Sequence, residues 1–135
     1  MKAVFLDTSG IIAVLNIKDK HHSAALHFWN WLLEQSLTIY ITDYIFDETY
    51  TALRNWFGHK LAIGFGDLVL KSNAVNLIHV DEELFSDSWA IAQKHSDKSY
   101  SFTDCVSFAL MERVGIESAF TFDRHFAQYG FTVKP

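Results

Sequence analysis

The sequence KAVFLDTSG, residues 2–10, places four apolar residues directly before Asp7 and three small residues directly after it. A short apolar run that is bounded by turn-forming residues is typical of a buried strand in a parallel sheet. A carboxylate at the end of such a strand is costly to bury unless it is paired or binds a cation. Asp7 is therefore a candidate functional residue, and its role depends on whether other acidic residues reach the same place.

The composition indicates one folded domain over residues 1–135. Half of the residues are hydrophobic and 20% are charged, which excludes a disordered chain. The only cysteine, Cys105, cannot form an internal disulfide, and this favours a reducing compartment. The apolar run near the N-terminus stops at Asp7, so it is too short for a signal peptide or a membrane span. We therefore expect a cytoplasmic protein with no membrane partner.

The net charge of −5, from 16 acidic and 11 basic side chains, argues against tight non-specific binding to nucleic acid. It fits a protein whose site is itself acidic and recruits metal cations. The seven histidines show no spacing typical of metal ligands, and one cysteine gives a structural zinc site no framework. Aromatic residues make up 16% of the chain, so we expect some of them at a protein interface.

Apolar periodicity alternates between strand-like and helix-like patterns along the whole chain. It predicts five strands, at residues 3–6, 38–42, 75–80, 118–122 and 131–133. It predicts seven helices, at residues 9–15, 21–35, 42–58, 59–72, 81–95, 102–115 and 123–130. Strands that alternate with helices imply an α/β protein, a three-layer α/β/α sandwich with a mainly parallel sheet of four or five strands.

Four acidic residues fall where such a sheet binds ligands, beyond the carboxyl ends of its strands. Asp7 and Asp123 each end a strand, and Asp104 lies in the first turn of a predicted helix. Glu48 lies beside the apolar stripe of another helix and can lean toward the sheet. Carboxylates at close range repel one another unless a cation or a proton intervenes. Clustered oxygen ligands suit Mg²⁺ or Mn²⁺.

Each of these acids also has a purely structural interpretation. Asp104 and Asp123 can each stabilise the N-terminus of a helix, and Glu48 can be an ordinary solvated side chain. His125 can act as a base, but an exposed helix histidine is the favoured interpretation. Cys105 suggests a thiol nucleophile beside Asp104, yet a lone cysteine in a helix is more typical of a small buried hydrophobe.

The acids lie within four stretches, FLDTSG, ITDYIFDETYTAL, YSFTDCVSFALMERVGI and AFTFDRHFAQYGFTV. In order, spacing and length, the chain resembles the PIN-domain nucleases. It is most similar to the single-domain toxin ribonucleases of bacterial and archaeal toxin–antitoxin pairs, the VapC type. This resemblance covers essentially the whole chain, and its specificity comes from the four stretches together rather than from any one of them.

The resemblance implies a PIN-like fold and a divalent-metal-dependent endoribonuclease, the toxin of a type II (VapBC-type) toxin–antitoxin pair. It implies in-line hydrolysis of RNA that leaves a 5′-phosphate and a 3′-hydroxyl, with no protein nucleophile. The acids that it assigns to catalysis and to Mg²⁺ or Mn²⁺ are Asp7, Glu48, Asp104 and Asp123. The residues that it assigns supporting roles are Thr8 and Thr121, which match polar site residues, and Asp97, in a loop where some relatives carry another acid.

The same resemblance implies two protein partners, a cognate antitoxin whose tail lies in an apolar groove and a second copy of the chain in a homodimer. The aromatic residues expected to form part of an exposed apolar patch are Phe28, Trp29, Trp31, Trp56 and Phe57. Arg54, Lys60 and Arg124 are the nearest basic candidates for RNA contacts, and solvated surface charge is an equal alternative. Because the protein is acidic, RNA selection is expected to depend on local shape and single-stranded access.

Two other functions are compatible with parts of this pattern. A phosphatase of the haloacid dehalogenase type also begins with an apolar strand that ends in aspartate. That class carries a second aspartate two residues later, where this chain has Ser9. A non-catalytic PIN-fold module that binds proteins is expected to lack one or more of the acids, and all four are present. A metal-dependent ribonuclease is therefore the favoured hypothesis.

Overall fold

The computed structural model describes residues 1–135, which form one sheet of five strands and seven helices. The strands are β1 (Ala3–Leu6), β2 (Thr38–Thr42), β3 (Val75–Ile78), β4 (Ser118–Phe120) and β5 (Thr132–Lys134). The helices are α1 (Thr8–Leu15), α2 (His22–Glu34), α3 (Asp43–Phe57), α4 (His59–Lys71), α5 (Glu82–Lys94), α6 (Phe102–Val114) and α7 (Arg124–Tyr129). All of these helices are too short or too polar to cross a lipid bilayer.

The strand order in the sheet is β3-β2-β1-β4-β5, and every neighbouring pair is parallel. The carboxyl ends of all five strands therefore lie at one edge of the sheet. From β1 the chain runs outward to β2 and β3, and it then returns to place β4 on the other side of β1. The boundary between β1 and β4 is thus a topological switch point, where open α/β sheets bind their ligands.

The central strands are buried on both faces of the sheet. Val4, Phe5 and Leu6 of β1 are all buried, and so is every residue of β4. Because successive side chains of a strand point to opposite faces, helices must cover both sides of the sheet. The three-layer sandwich that was predicted from the alternation of strands and helices is confirmed.

Helix α6 is buried on all sides. Its residues from Asp104 to Met111 are consecutive and all buried, which no amphipathic surface helix shows. The helix begins at a capping box between Ser101 and Asp104, and it ends at Gly115 in the left-handed conformation with φ +80. The acidic residue in its first turn is therefore fixed to the most enclosed helix of the fold.

Gly10 lets α1 start directly against the end of β4. A Cβ atom at this position would lie 2.6 Å from the carbonyl oxygen of Phe120 and 2.7 Å from a ring carbon of the same residue. Only glycine fits such a close backbone approach. Nearby, the backbone N–H of Asp7 donates to that carbonyl oxygen at 3.1 Å, so β1 and β4 stay paired to their last residues.

The predicted order of elements is confirmed, and the differences lie at element ends. The predicted strand 75–80 ends at Ile78, and the predicted strand 118–122 ends at Phe120. As a result, Thr121 is buried just beyond the sheet instead of inside the last part of the strand. The glycines of the segment 59–72 do not interrupt α4, because Gly66 is buried and lies against the ring of Phe46.

Candidate active site

A polar cleft of about 470 Å³ opens at the carboxyl edge of the sheet. Side chains from four separate parts of the chain line it, and these include the four predicted acids Asp7, Glu48, Asp104 and Asp123. No lysine or arginine side chain lines the cleft. The sheet topology thus brings together the acids that the sequence places more than 100 residues apart.

Asp7 is the most deeply buried of these acids. Its Oδ2 atom accepts hydrogen bonds from the hydroxyl groups of Ser9 and Thr121, both at 2.8 Å, while its Oδ1 atom accepts none from the protein. Burial raises the pKa of Asp7 from 3.8 to about 6. The two hydroxyl groups lower this pKa, and the negative charges of Asp104 and Glu48 raise it further.

The hydroxyl groups that hold Asp7 also hold the segment after β4. The backbone N–H of Phe122 donates to Ser9 Oγ at 2.9 Å, and the backbone N–H of Asp123 donates to Thr121 Oγ1 at 2.9 Å. Two short side chains therefore connect the Asp7 carboxylate to the backbone of Phe122 and Asp123. Thr121 was predicted as a supporting residue, whereas Ser9 was not predicted as a site residue.

Thr8 connects the cleft to α3. The hydroxyl group of Thr49 donates to Thr8 Oγ1 at 3.0 Å, and Thr49 directly follows Glu48. Glu48 itself is exposed, lines the cleft and makes no hydrogen bond to another side chain. It is close enough for its charge to raise the pKa of Asp7, so it faces the same space as the buried acids.

Asp104 combines a structural role with a place in the cleft. Its Oδ2 atom accepts a hydrogen bond from the backbone N–H of Ser101 at 3.1 Å and lies 2.8 Å from His125 Nδ1. Ser101 Oγ in turn accepts from the backbone N–H of Asp104 at 3.0 Å. The helix-capping interpretation is thus correct, and it leaves Asp104 Oδ1 without a hydrogen-bond donor from the protein.

The prediction that His125 is an exposed helix residue is wrong, because its side chain is only 17% exposed. Asp123 Oδ1 accepts the backbone N–H of His125 at 2.9 Å and caps α7. The imidazole ring lines the cleft, and its Nδ1 atom lies 3.5 Å from Asp123 Oδ1 as well as close to Asp104. Ligand atoms of Asp104, Asp123 and His125 lie within 4.8 Å of one another, although no histidine spacing in the sequence suggested a metal site.

The three aspartates share one arrangement. In each of Asp7, Asp104 and Asp123, one carboxylate oxygen accepts hydrogen bonds from the protein and the other accepts none. The free oxygens are open to the cleft, since no buried side-chain oxygen lacks a hydrogen-bond partner, and clustered negative charge favours a cation. Clustered carboxylate oxygens suit a divalent ion such as Mg²⁺ or Mn²⁺. The donor set therefore fits the metal that the family resemblance implies.

Other predicted residues do not reach the cleft. Asp97 is exposed and lies 3.8 Å from Lys98 Nζ, outside the cleft lining. The three basic residues proposed for RNA contacts are also exposed and do not line it, namely Arg54, Lys60 and Arg124. Cys105 is fully buried, and burial raises the pKa of its thiol, which agrees with a packing role rather than a nucleophile.

Comparison with known proteins shows to which family this chain belongs. Residues 4–132 match the PIN domain, which is nearly the whole chain. The chain belongs to the PIN-domain family. The predicted family and fold are confirmed, and so is the prediction of a PIN-domain nuclease. The phosphatase alternative is thereby wrong.

This PIN-domain chain is similar over its full length to one characterised toxin. It is 32% identical over 133 residues to the 23S rRNA-specific endonuclease VapC20 of Mycobacterium tuberculosis, with 98% of both chains covered. The crystal structure of VapC20, described as a Sarcin-Ricin loop cleaving toxin, superimposes with a TM-score of 0.89. That comparison covers 98% of this chain and 99% of VapC20.

Two further structures share the fold at lower sequence identity. VapBC2 from Rickettsia felis, bound to a promoter DNA fragment, gives a TM-score of 0.74 at 12% identity, over 98% of this chain and 97% of that chain. FitAcB from Neisseria gonorrhoeae gives a TM-score of 0.66 at 14% identity, over 98% of this chain and 96% of that chain. At these identities the likeness is one of fold alone.

Proposed function

We propose that this PIN-domain protein is a divalent-metal-dependent endoribonuclease and the toxin of a type II toxin–antitoxin pair. The observation that carries the proposal is the arrangement of Asp7, Asp104 and Asp123, each with one oxygen held by the protein and one left free at the same cleft. The full-length similarity to VapC20 supports it, because VapC20 is named as an endonuclease.

The acids proposed to hold Mg²⁺ or Mn²⁺ are Asp7, Glu48, Asp104 and Asp123, with His125 beside the last two. A bound divalent ion supplies a coordinated water of lowered pKa and screens the charge of the phosphate. The hydroxyl groups of Ser9 and Thr121 keep Asp7 in place, and His125 joins Asp104 to the start of α7. These contacts pre-organise the free oxygens before any substrate arrives.

We propose a loop in ribosomal RNA as the substrate. The cleft is lined by acidic side chains and by no lysine or arginine, so general attraction of RNA into it is unfavourable. Recognition by local shape and by unpaired nucleotides is therefore favoured over indiscriminate digestion. The similarity to VapC20, which cleaves the sarcin–ricin loop according to its description, suggests that loop as the first substrate to test.

We propose an antitoxin as the partner of an apolar pocket that lies apart from the cleft. The pocket has a volume of about 90 Å³ and is lined by ten apolar residues of β1, β3, the residue Phe120, and helices α1, α2 and α4. Leu68 lines it and is 49% exposed, so the pocket reaches the surface. An amphipathic segment that inserts apolar side chains into such a groove is a common mode of peptide recognition.

The predicted aromatic patch is only partly exposed. Phe28 and Trp29 pack against the core, whereas Trp31, Trp56 and Phe57 are exposed. Phe28 stacks on Trp31 with ring centroids 5.6 Å apart, so α2 presents an apolar surface beside the pocket. The homodimer and the cytoplasmic location stay predictions. The molecular mass of the purified protein in solution tests whether it is a dimer.

The test of the proposed activity uses the purified protein and a synthetic RNA hairpin with the sarcin–ricin loop sequence. We expect cleavage with Mg²⁺ or Mn²⁺ and none in excess chelator, because the free oxygens need a cation to act on a phosphodiester. The products should carry a 5′-phosphate and a 3′-hydroxyl. Cleavage that persists in chelator contradicts the proposal. Absence of cleavage with either ion supports the alternative of a non-catalytic binding module.

A further inference from the structure

Trp56 is the most exposed of the four tryptophans, at 68%, and it lies on the wall of the acidic cleft. The other exposed tryptophans have aromatic neighbours, since Trp31 stacks on Phe28 and Trp89 packs against Phe102. Trp56 forms no aromatic pair. A large exposed ring of this kind in a mostly polar cleft is an unusual use of apolar surface, and it indicates a ligand with a flat face.

The position of Trp56 relative to the acids follows from the geometry of α3. Glu48 and Trp56 are eight residues apart, which is about two helical turns or roughly 12 Å along the axis. Both line the cleft, so they lie on one face of the helix. A flexible single strand that places a phosphate at the acids therefore reaches Trp56 within a few nucleotides.

The remaining lining of the cleft leaves RNA few other contacts. The cleft contains no lysine or arginine, and it contains a fifth acid, Asp19, besides the four at the proposed metal site. Two further rings in the cleft, His21 and Phe122, stack on each other with centroids 4.2 Å apart and planes within 2°. Their facing surfaces are therefore occupied. Trp56 is left as the open aromatic surface.

We propose that Trp56 is a stacking platform for an unpaired base of the RNA, a few nucleotides from the scissile phosphate. The proposal rests on the ribonuclease function above and adds the basis of its selectivity. Stacking on an aromatic ring tolerates any base but requires that the base leave its neighbours. Trp56 therefore selects nucleotides in loops over nucleotides in duplexes, and it does so without phosphate contacts.

The first test compares Trp56→Ala and Trp56→Phe with wild type, using the hairpin and Mn²⁺. We expect Trp56→Ala to raise KM about 5- to 100-fold and to leave kcat within about threefold, because stacking binds the substrate without touching the reacting atoms. Trp56→Phe keeps a ring and should recover most of the affinity. Trp89→Ala is the matched control, since Trp89 is 55% exposed outside the cleft, and it should leave KM unchanged.

The second test locates the base and uses Asp7→Asn protein, so that binding is measured without cleavage. Hairpins with single abasic nucleotides are titrated against Asp7→Asn and against Asp7→Asn with Trp56→Ala. One abasic position should weaken binding only when Trp56 is present, which is the coupling that a direct contact produces. If no position couples to Trp56 while wild type cleaves the hairpin, the stacking proposal is overturned and the ribonuclease proposal stands.

Two other outcomes also decide the question. If wild type neither binds nor cleaves the hairpin with Mg²⁺ or Mn²⁺, the proposed function fails and the stacking proposal fails with it. If Trp56→Ala leaves the KM for RNA unchanged but weakens self-association or the binding of an antitoxin peptide, Trp56 is a protein contact and the proposal is overturned. Thermal melting of Trp56→Ala should match wild type, because the exposed ring contributes little to the core.

Discussion

The end of β1 lines both the acidic cleft and the apolar pocket, and adjacent residues divide between them. Leu6 lines the pocket, and Asp7 lines the cleft. One turn into α1, Ile11 lines the pocket while Ile12 lines the cleft. A single short segment thus forms a wall of two cavities with opposite chemistry. The two cavities share a backbone, yet a change of one side chain can affect either of them alone.

The difference in chemistry makes the two cavities respond to different perturbations. Binding in the apolar pocket depends on buried area, at about 25 cal/mol per Å², and varies little with pH or modest salt. Binding in the cleft depends on charge, so it varies with metal, pH and ionic strength. Each of the following experiments perturbs one cavity and uses the other as an internal reference.

The largest effect is expected from Asp104→Asn, which removes a charge at the cleft but keeps the shape of the helix cap. We expect a loss of cleavage of about 10³-fold or more, because charge stabilisation by a metal is worth several kcal/mol. The pocket should still bind an antitoxin peptide as wild type does. Asp97→Asn is the matched control outside the cleft and should stay within about twofold of wild type. Equal activities for both variants would show that Asp104 has no role in the cleavage reaction.

The second effect concerns stability and pH. Because the folded-state pKa of Asp7 is raised to about 6, its ionisation opposes folding. The cost is absent well below the unfolded value near 3.8 and is complete above about 6, so it grows as pH rises between these values. The full cost is about 3 kcal/mol.

Asp7→Asn removes this cost and should be more stable than metal-free wild type at pH 7. The difference in free energy of unfolding between variant and wild type should grow by about 2 to 3 kcal/mol between pH 4 and pH 7. Urea titrations in chelator at several pH values measure it. If the free energies of unfolding of variant and wild type differ by the same amount at every pH in this range, Asp7 is not desolvated in the native protein.

The third effect belongs to the apolar pocket. Leu68→Glu places a charge at its mouth and should weaken binding of an antitoxin peptide about 30-fold or more, as expected for a contact at the centre of an interface. Cleavage of the RNA hairpin should be unchanged. Leu70→Glu is the matched control, because Leu70 is 62% exposed on the same helix and does not line the pocket. Equal peptide affinities for the two variants would place the antitoxin elsewhere.

The smallest effect is expected from the basic residues outside both cavities. Arg124→Ala and Lys60→Ala should lower kcat/KM about two- to threefold, through weaker steering of RNA toward the cleft. The slope of log affinity against log salt should change by less than roughly 0.7, the value for one phosphate contact on a single strand. A larger change in slope would mean that one of these side chains contacts a phosphate directly.

The order of elements and the placement of the acids could be predicted from sequence because both follow from local pattern. Apolar periodicity separates strands from helices, and alternation of the two forces a parallel sheet whose strand ends share an edge. Asp7 directly follows β1, and Asp123 follows the predicted strand 118–122, although β4 ends at Phe120. Their presence at one cleft therefore follows from topology, before any side-chain contact is known.

The contacts that hold these acids could not be predicted, because they join side chains that are distant in sequence. Asp104 and His125 are 21 residues apart, and Ser9 and Phe122 are 113 apart. Whether the His125 side chain points to solvent or to Asp104 depends on how α7 packs beside α6, which the sequence does not specify. The same limit explains Asp97, whose loop lies near the site in sequence but whose side chain faces solvent.

Gly10 makes the short stretch around Asp7 suitable for engineering a conditional allele. The Cβ atom of any other residue at this position would lie 2.6 Å from the carbonyl oxygen of Phe120, so α1 would have to shift away from β4 for the protein to fold. The unfolded fraction of Gly10→Ala protein should grow with temperature, because the strained protein unfolds at a lower temperature than wild type. A cell that carries Gly10→Ala should tolerate the protein when warm and be harmed when cool. A thermal switch of this kind would let the protein be expressed without its antitoxin and then activated by cooling.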